Sequence, residues 1–215
     1  MIRPRILMAD DHSLVLAGLR RLVEELGEVV GTVQDGRTLL EDAQRLRPDL
    51  ILLDISMPLL NGLDAARQLV KLVPESKLIF LTMHTSPTYV SEAFKAGASG
   101  YLIKQSAEAE LKQAIQAVMK GQHYMTPSVT KDVMGTKLQS TEGSVCKRPV
   151  TALTPRQREV LQLIAEGKGT RTIASMLHLS IKTVEFHRTR LMEELGLHST
   201  ADLVRYAVSE GLVSL

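Results

Sequence analysis

Leu50-Ile51-Leu52-Leu53-Asp54-Ile55-Ser56-Met57-Pro58 is the stretch from which the rest of the chain can be read. Four large aliphatic residues in a row, with no polar alternation, read as a strand covered on both faces, which is the signature of a parallel sheet. The run ends on an acid, and Met57-Pro58 with Asn61-Gly62 then turns the chain away. Such a strand needs helices above and below it, and the flanking sequence alternates accordingly. Residues 5–9 and 29–33 read as strands upstream, separated by a helical apolar spacing over 14–26 that Gly27 ends. A second helix runs through Leu39, Leu40, Ala43 and Leu46 and stops before Pro48. Downstream come a helix at 63–72, a strand at 78–81, a helix at 89–96, a strand at 100–103 and a helix at 107–119 closed by Gly121. Five strand–helix pairs imply an α/β fold with a doubly wound, five-stranded parallel sheet over residues 1–121.

The rhythm then breaks. Residues 122–150 are rich in Thr, Ser, Lys, Gly and Pro and read as a linker, with one weak apolar patch at 129–138. Residues 151–215 are patterned as an all-α unit of four helices, at about 156–166, 170–177, 181–194 and 200–211. Gly167, Leu179-Ser180 and Gly196 separate them. Thr154-Pro155 with Glu159 reads as the first cap.

Composition narrows the possible classes. The 215 residues are 44% hydrophobic and 23% charged, so the chain can bury a core. Aromatics are only 3%, so that core is aliphatic. The single cysteine, Cys146, excludes an internal disulfide and a cysteine-rich zinc site and fits a reducing, cytoplasmic setting. No apolar run reaches the ~18 residues of a membrane span, and the first residues lack a signal-peptide pattern, so no membrane partner is expected. The net charge of +2 is unevenly placed. Residues 156–190 hold seven basic groups against three acidic, whereas 1–121 are nearly balanced.

In open α/β sheets ligands bind beyond the carboxyl ends of the strands. Asp10 and Asp11 end the first strand, Asp54 the third, Thr82 the fourth and Lys104 the fifth, so all five converge on one edge. Crowded carboxylates repel one another, and a divalent cation with oxygen ligands relieves that repulsion. Mg²⁺, which binds through one or two carboxylates, waters and phosphate oxygens, is the natural choice. A carboxylate beside it can attack phosphorus, with Lys104 as a point charge and the Thr82 hydroxyl as a hydrogen-bond donor to the phosphoryl group.

With the acidic pair, "LDISMPLLNGLD", "LTMH" and "AGASGYLIK" in place, residues 4–120 resemble a response-regulator receiver domain, whose sheet is flavodoxin-like. The resemblance implies Asp54 as phosphoacceptor. It implies Asp10, Asp11, Asp54 and the Ser56 main-chain carbonyl as Mg²⁺ partners, and Thr82 and Lys104 as phosphoryl contacts. Thr82 and Tyr101 would be the switch residues, although a tyrosine in a last strand is ordinarily core filler. Ser56 and His84 occupy positions that in the family tune the lifetime of the phosphoryl group. His84 is nonetheless expected to be an exposed loop histidine. Met83 is bulkier than the residue usual there.

In the second unit, a short turn at 178–180 before a long helix is the helix-turn-helix arrangement. Its second helix enters the major groove. Ile173, Ala174 and Leu177 hold the first helix of the pair, and Val184, Leu191 and Leu195 the second. Lys182, Thr183, Glu185, Phe186, Arg188, Thr189 and Arg190 are then available outside. The segment "LTPRQREVLQLIAEGKGTRTIASMLHLSIKTVEFHRTRLMEELGL" resembles the LuxR-type domain of the NarL/FixJ response regulators. By that resemblance Lys182, Thr183, Arg188 and Arg190 grip phosphates, and Glu185, Phe186 and Thr189 face base edges. His187 packs or touches the backbone, and the last helix is a dimerisation face. Gly169-Thr170 and Glu193-Glu194 depart from the common pattern.

The expected function is a two-component response regulator. A sensor histidine kinase phosphorylates Asp54, which controls binding of a homodimer to double-stranded promoter DNA, with RNA polymerase as a further partner. Two other readings compete. One is an Asp-nucleophile phosphatase or phosphotransferase, which would need a second acid–base carboxylate after Asp54, where Ser56-Met57-Pro58 stands. The other is a phosphorylation-independent DNA-binding regulator that keeps the receiver as a dimerisation or interaction module. Beyond self-phosphorylation and autodephosphorylation, no enzyme activity is expected.

Overall fold

A parallel sheet forms where β-branched and aliphatic runs are each followed by an amphipathic helix, and the computed structural model, which describes residues 3–130 and 153–213, has that order. The chain falls into an N-terminal α/β unit and a C-terminal helical unit. In the first, β1 (Arg5–Ala9), β2 (Glu28–Val33), β3 (Leu50–Leu53), β4 (Lys77–Thr82) and β5 (Gly100–Ile103) alternate with helices α1 (Ser13–Glu24), α2 (Gly36–Leu46), α3 (Gly62–Leu72), α4 (Pro87–Lys95) and α5 (Ala107–Met119). All neighbouring strands are parallel.

The sheet order is β2-β1-β3-β4-β5, with one addition that the sequence pattern does not show. Tyr124–Met125 forms a sixth strand, β6, beside β5, where the linker was expected to have begun. Two residues are too short to display a two-residue alternation, and the flanking Gln, His, Thr and Pro resemble turn chemistry. The pairing is nonetheless specific. Thr126 donates its backbone N–H to the Tyr101 carbonyl at 3.0 Å, and its hydroxyl accepts from the Ile103 N–H at 3.2 Å. The rest of the linker, most of the 129–138 patch and Cys146 lie outside the described residues.

Side chains alternate across the sheet. Ile6, Met8, Leu50, Leu52, Ile79, Leu81 and Leu102 share one face with α1 and α5, through Leu16, Leu19, Val23, Leu111, Ile115 and Val118. Leu7, Ile51, Leu53, Leu78, Phe80 and Tyr101 are buried on the opposite face. Each fully buried large aliphatic side chain contributes about 1.5–3 kcal/mol, so the central strands hold the sheet together and leave their polar C-terminal ends free for chemistry.

One glycine is sterically required beside those ends. A Cβ on Gly62 would lie 1.9 Å from the Asp54 carbonyl oxygen. Gly62 donates its N–H to the Ile55 carbonyl at 2.8 Å, which folds the loop back against the end of β3.

In the helical unit, α6 (Pro155–Ala165), α7 (Thr170–Met176), α8 (Ile181–Leu195) and α9 (Thr200–Ser209) follow the expected pattern. Thr154 does cap α6, but its reciprocal partner is Gln157 rather than Glu159, because only the third helical residue can reach back to the cap N–H. Glu159 pairs instead with Arg156 at 2.7 Å. His178 adopts a left-handed φ of 53° in the turn between α7 and α8, and Gly196 one of 63° at the end of α8. Val160, Leu161, Ile173, Leu177, Val184, Leu191, Leu195, Leu203 and Tyr206 form the core. Among the described residues no helix is long and apolar enough to cross a membrane.

Candidate functional site

The C-terminal ends of β1, β3 and β5 deliver the acidic pocket. Asp54 follows β3 and extends the ladder by donating its N–H to the Ala9 carbonyl at 2.9 Å. Asp10 follows Ala9, and Lys104 follows Ile103. The Lys104 ammonium lies 2.7 Å from Asp10 Oδ2 and 2.7 Å from Asp54 Oδ2. Both acids are almost wholly shielded from solvent. Burial works against the Lys104 charge, but hydrogen bonds to Asp10 and Asp54 outweigh it and hold the amine above the ordinary lysine range. Each acid's other oxygen is also engaged. Asp54 Oδ1 accepts from the Ile55 N–H at 2.6 Å, and Asp10 Oδ1 from the His12 N–H at 3.0 Å.

Asp11 differs. Its Oδ1 is shielded from solvent and accepts no hydrogen bond, although His12 Nδ1 lies 2.7 Å away outside hydrogen-bonding geometry. Asp10, Asp11, His12 and Asp54 each bring one ligand atom within 4.8 Å of the others. An unsatisfied oxygen among clustered carboxylates fits a hard, oxygen-seeking cation. His12 was not singled out from the sequence; its place directly after the acidic pair is the signal that was available.

The rim is built from β4 and the loop beyond it. Thr82 is fully buried, and its hydroxyl accepts from the His84 N–H at 3.3 Å. Thr82 pairs in register with Ile103, one residue before Lys104, so both lie at the same end of the sheet. His84 is half-buried rather than an exposed loop residue. Its ring stacks on Tyr89 of α4 at 4.2 Å, its Nε2 lies 3.0 Å from the Ser56 hydroxyl, and its carbonyl accepts from the Tyr101 hydroxyl at 2.8 Å. Tyr89 lies five residues on, but Ser56 and Tyr101 come from distant segments, and sequence spacing carries no sign of them. Burial pushes the imidazole below its usual range; the Asp54 charge opposes this and the Lys104 charge adds to it. Tyr101 lies wholly inside, beside Phe80, and burial raises its phenol above the ordinary range. Met83 is exposed.

The second candidate surface is α8. Ser180 caps it, accepting from the Thr183 N–H at 3.0 Å. The Thr183 hydroxyl is held 2.8 Å from the Ser180 hydroxyl, so it belongs to the cap as well as to the helix surface. Val184, Leu191 and Leu195 face the core, whereas Lys182, Glu185, Phe186, Thr189 and Arg190 are exposed. Spacings of three, four and seven residues from Lys182 put Glu185, Phe186 and Thr189 on one face. Besides the cap-bound Thr183, which is half-buried, one residue departs from the expected outward set. Arg188 is half-buried on the flank, and its guanidinium donates to the Thr200 hydroxyl at the start of α9. His187 is also half-buried; burial and the Arg156 charge lower its pKa from 6.5. Glu194 accepts from Gln157 of α6 at 3.1 Å, so this departure from the family pattern points inward, and only Glu193 is exposed.

Both units match known families. Residues 6–116 match the family described as "Response regulator receiver domain", and residues 151–207 that described as "Bacterial regulatory proteins, luxR family". The chain is 37% identical over 212 residues to the transcriptional regulatory protein MctR of Rhizobium johnstonii, covering 98% of this chain and 95% of that protein. It is similar to a solved structure of the Salmonella typhimurium RcsB response regulator, with 29% identity, a TM-score of 0.66, and 98% and 99% of the two chains covered. A structure of the RcsB–DNA complex is 30% identical, with a TM-score of 0.59 over 97% of this chain and 98% of that one. The chain thus belongs to the two-component response regulators that join a receiver domain to a LuxR-type DNA-binding domain.

Proposed function

We propose that phosphorylation of Asp54 by a sensor histidine kinase controls how this chain binds promoter DNA. The observation that carries this reading is the Lys104 ammonium, 2.7 Å from both Asp10 and Asp54 at the open end of the sheet. A buried carboxylate whose partner is a mobile cation can exchange that partner for a phosphoryl group. The Asp54 oxygen that Lys104 releases attacks phosphorus, the phosphorus–nitrogen bond of the kinase phosphohistidine breaks, and its electron pair stays on the imidazole. Lys104 then follows the new charge, and the Thr82 hydroxyl turns to donate to it. Asp10, Asp11, Asp54 and the Ser56 main-chain carbonyl would hold Mg²⁺, which when bound supplies positive charge to the phosphoryl oxygens. The same chemistry gives self-phosphorylation from small phosphodonors and autodephosphorylation.

Thr82 and Tyr101 are the switch residues of this reading. When Thr82 leaves the His84 N–H for a phosphoryl oxygen, the loop carrying His84 shifts, and with it the carbonyl that holds the Tyr101 hydroxyl. Population of the second arrangement then rises with phosphorylation. On α8, Lys182, Thr183, Arg188 and Arg190 contact phosphates of double-stranded DNA. Glu185, Phe186 and Thr189 read base edges, and His187 supports the helix from behind. The RcsB–DNA complex supports this use of the domain. The acting form is a cytoplasmic homodimer on DNA, with RNA polymerase as the downstream partner.

The test is labelling by a small phosphodonor with Mg²⁺, read as a phosphate-dependent gel shift, alongside DNA binding. Wild type is labelled and its DNA affinity changes; Asp54→Asn is neither labelled nor changed. Labelling that survives in Asp54→Asn would sink the assignment.

A further inference from the structure

Phe186 is unusual among the outward residues of α8. It is a large aromatic, 58% exposed, next to the charged Lys182, Glu185 and Arg190. Its ring is held by its own helix. The Arg190 guanidinium lies over the ring, 5.7 Å from its centroid, and His187 meets it edge-on at 5.9 Å and 66°. Arg190 itself is steadied by Glu194 at 3.8 Å. One ring face is therefore covered by a cation, and the rest of the ring faces solvent with little freedom to fold away.

In duplex DNA the base faces are already stacked on one another, so a ring on a groove-lying helix meets base edges only. Those edges carry hydrogen-bond donors and acceptors, except for one apolar group in the major groove, the thymine C5-methyl. An aromatic ring pressed against a carbonyl, ring nitrogen or amine strips water from it without replacing the lost hydrogen bond. Pressed against a methyl, it removes apolar surface from water on both sides.

We infer that Phe186 is a specificity-determining residue that selects a thymine by contact with its 5-methyl group, with Arg190 as the residue that positions the ring. This rests on α8 being the DNA-reading helix, as proposed above. The contact discriminates thymine from cytosine by the methyl group as well as by hydrogen bonding.

The experiment uses the full chain. A preferred duplex is first selected from a randomised library, and its thymines are then replaced one at a time by deoxyuracil, which deletes only the methyl. One position should lower wild-type affinity about fourfold, the equivalent of burying one methyl group at about 0.8 kcal/mol. At the same position, 5-methylcytosine should bind about fourfold tighter than cytosine. Phe186→Ala should lose both effects there while keeping its helical circular dichroism, and Phe186→Leu should retain part of them. Two outcomes overturn the inference alone: a preferred duplex whose thymine-to-uracil changes are felt equally by wild type and Phe186→Ala, or by neither. Failure to select any preferred duplex overturns the DNA-reading role of α8 itself, and the inference with it.

Discussion

The Lys104 ammonium and the Asp54 carboxylate lie 2.7 Å apart, with only 11% and 5% of their side-chain surfaces exposed. Asp10 shares the same ammonium. Removing the lysine leaves shielded carboxylates facing one another with no cation between them. Lys104→Met is therefore expected to lower the unfolding free energy by about 3 kcal/mol in chelator, the scale for orphaning one partner of a buried pair. Added Mg²⁺ should restore a substantial part, because binding to the folded state alone stabilises it. Urea titrations with chelator and with Mg²⁺ check this. A variant no more stable in Mg²⁺ than in chelator would show that the cation does not bind there.

Two glycines should respond in opposite directions. Gly62→Ala places a Cβ against the Asp54 carbonyl, where backbone rather than a flexible side chain must yield. The expected loss is about 2–3 kcal/mol, together with slower labelling of Asp54, whose loop is displaced. Gly18, within α1 and exposed, has open space where its Cβ would go, so Gly18→Ala should gain about 0.5–1 kcal/mol. Thermal denaturation of the two variants reads both signs.

His187 links the helical unit to pH. Burial and Arg156 lower its pKa in the folded chain below 6.5, so the unfolded chain binds the proton more readily. The stability tied to the neutral ring is complete above about 6.5 and is lost as the pH falls from there through the lowered folded value. Wild type should lose more stability between neutral and mildly acidic pH than His187→Gln does. Equal losses would remove His187 from this role.

Charge and shape on α8 should separate on mutation. Lys182→Ala is expected to weaken binding to all duplex sequences alike and to reduce the slope of log K against log salt by about 1. Glu185→Ala should change which sequences are selected and leave that slope nearly untouched. Salt titrations and library selections on the two variants distinguish the effects, and a uniform loss in Glu185→Ala would place that carboxylate outside base recognition.

Much of this was legible because it depends on local pattern. Leu50–Leu53 announced a doubly covered strand, and once the strands were placed, Asp10, Asp11, Asp54, Thr82 and Lys104 fell at strand ends on one edge. The inner face of α8 followed from the spacing of Val184, Leu191 and Leu195. What escaped was contact between residues far apart in sequence. β6 is two residues long and is recognisable only from its pairing with Gly100 and Tyr101. His84 reads as a surface histidine, yet the fold sets Ser56 and Tyr101 against it. Arg188 reads as fully outward, yet its guanidinium turns along the flank to Thr200.

The amino-acid sequence by itself determined the order of strands and helices, the two-unit plan and the set of residues at the sheet edge, because hydrophobic periodicity and strand-end position are local properties of the chain. The tertiary structure decided which of those residues share a proton or a charge. Lys104 bridges Asp10 and Asp54, and Asp11 keeps an unsatisfied oxygen. Electrostatic and hydrogen-bonding energies depend on separations of a few ångströms between segments distant in sequence, and only folding sets those separations.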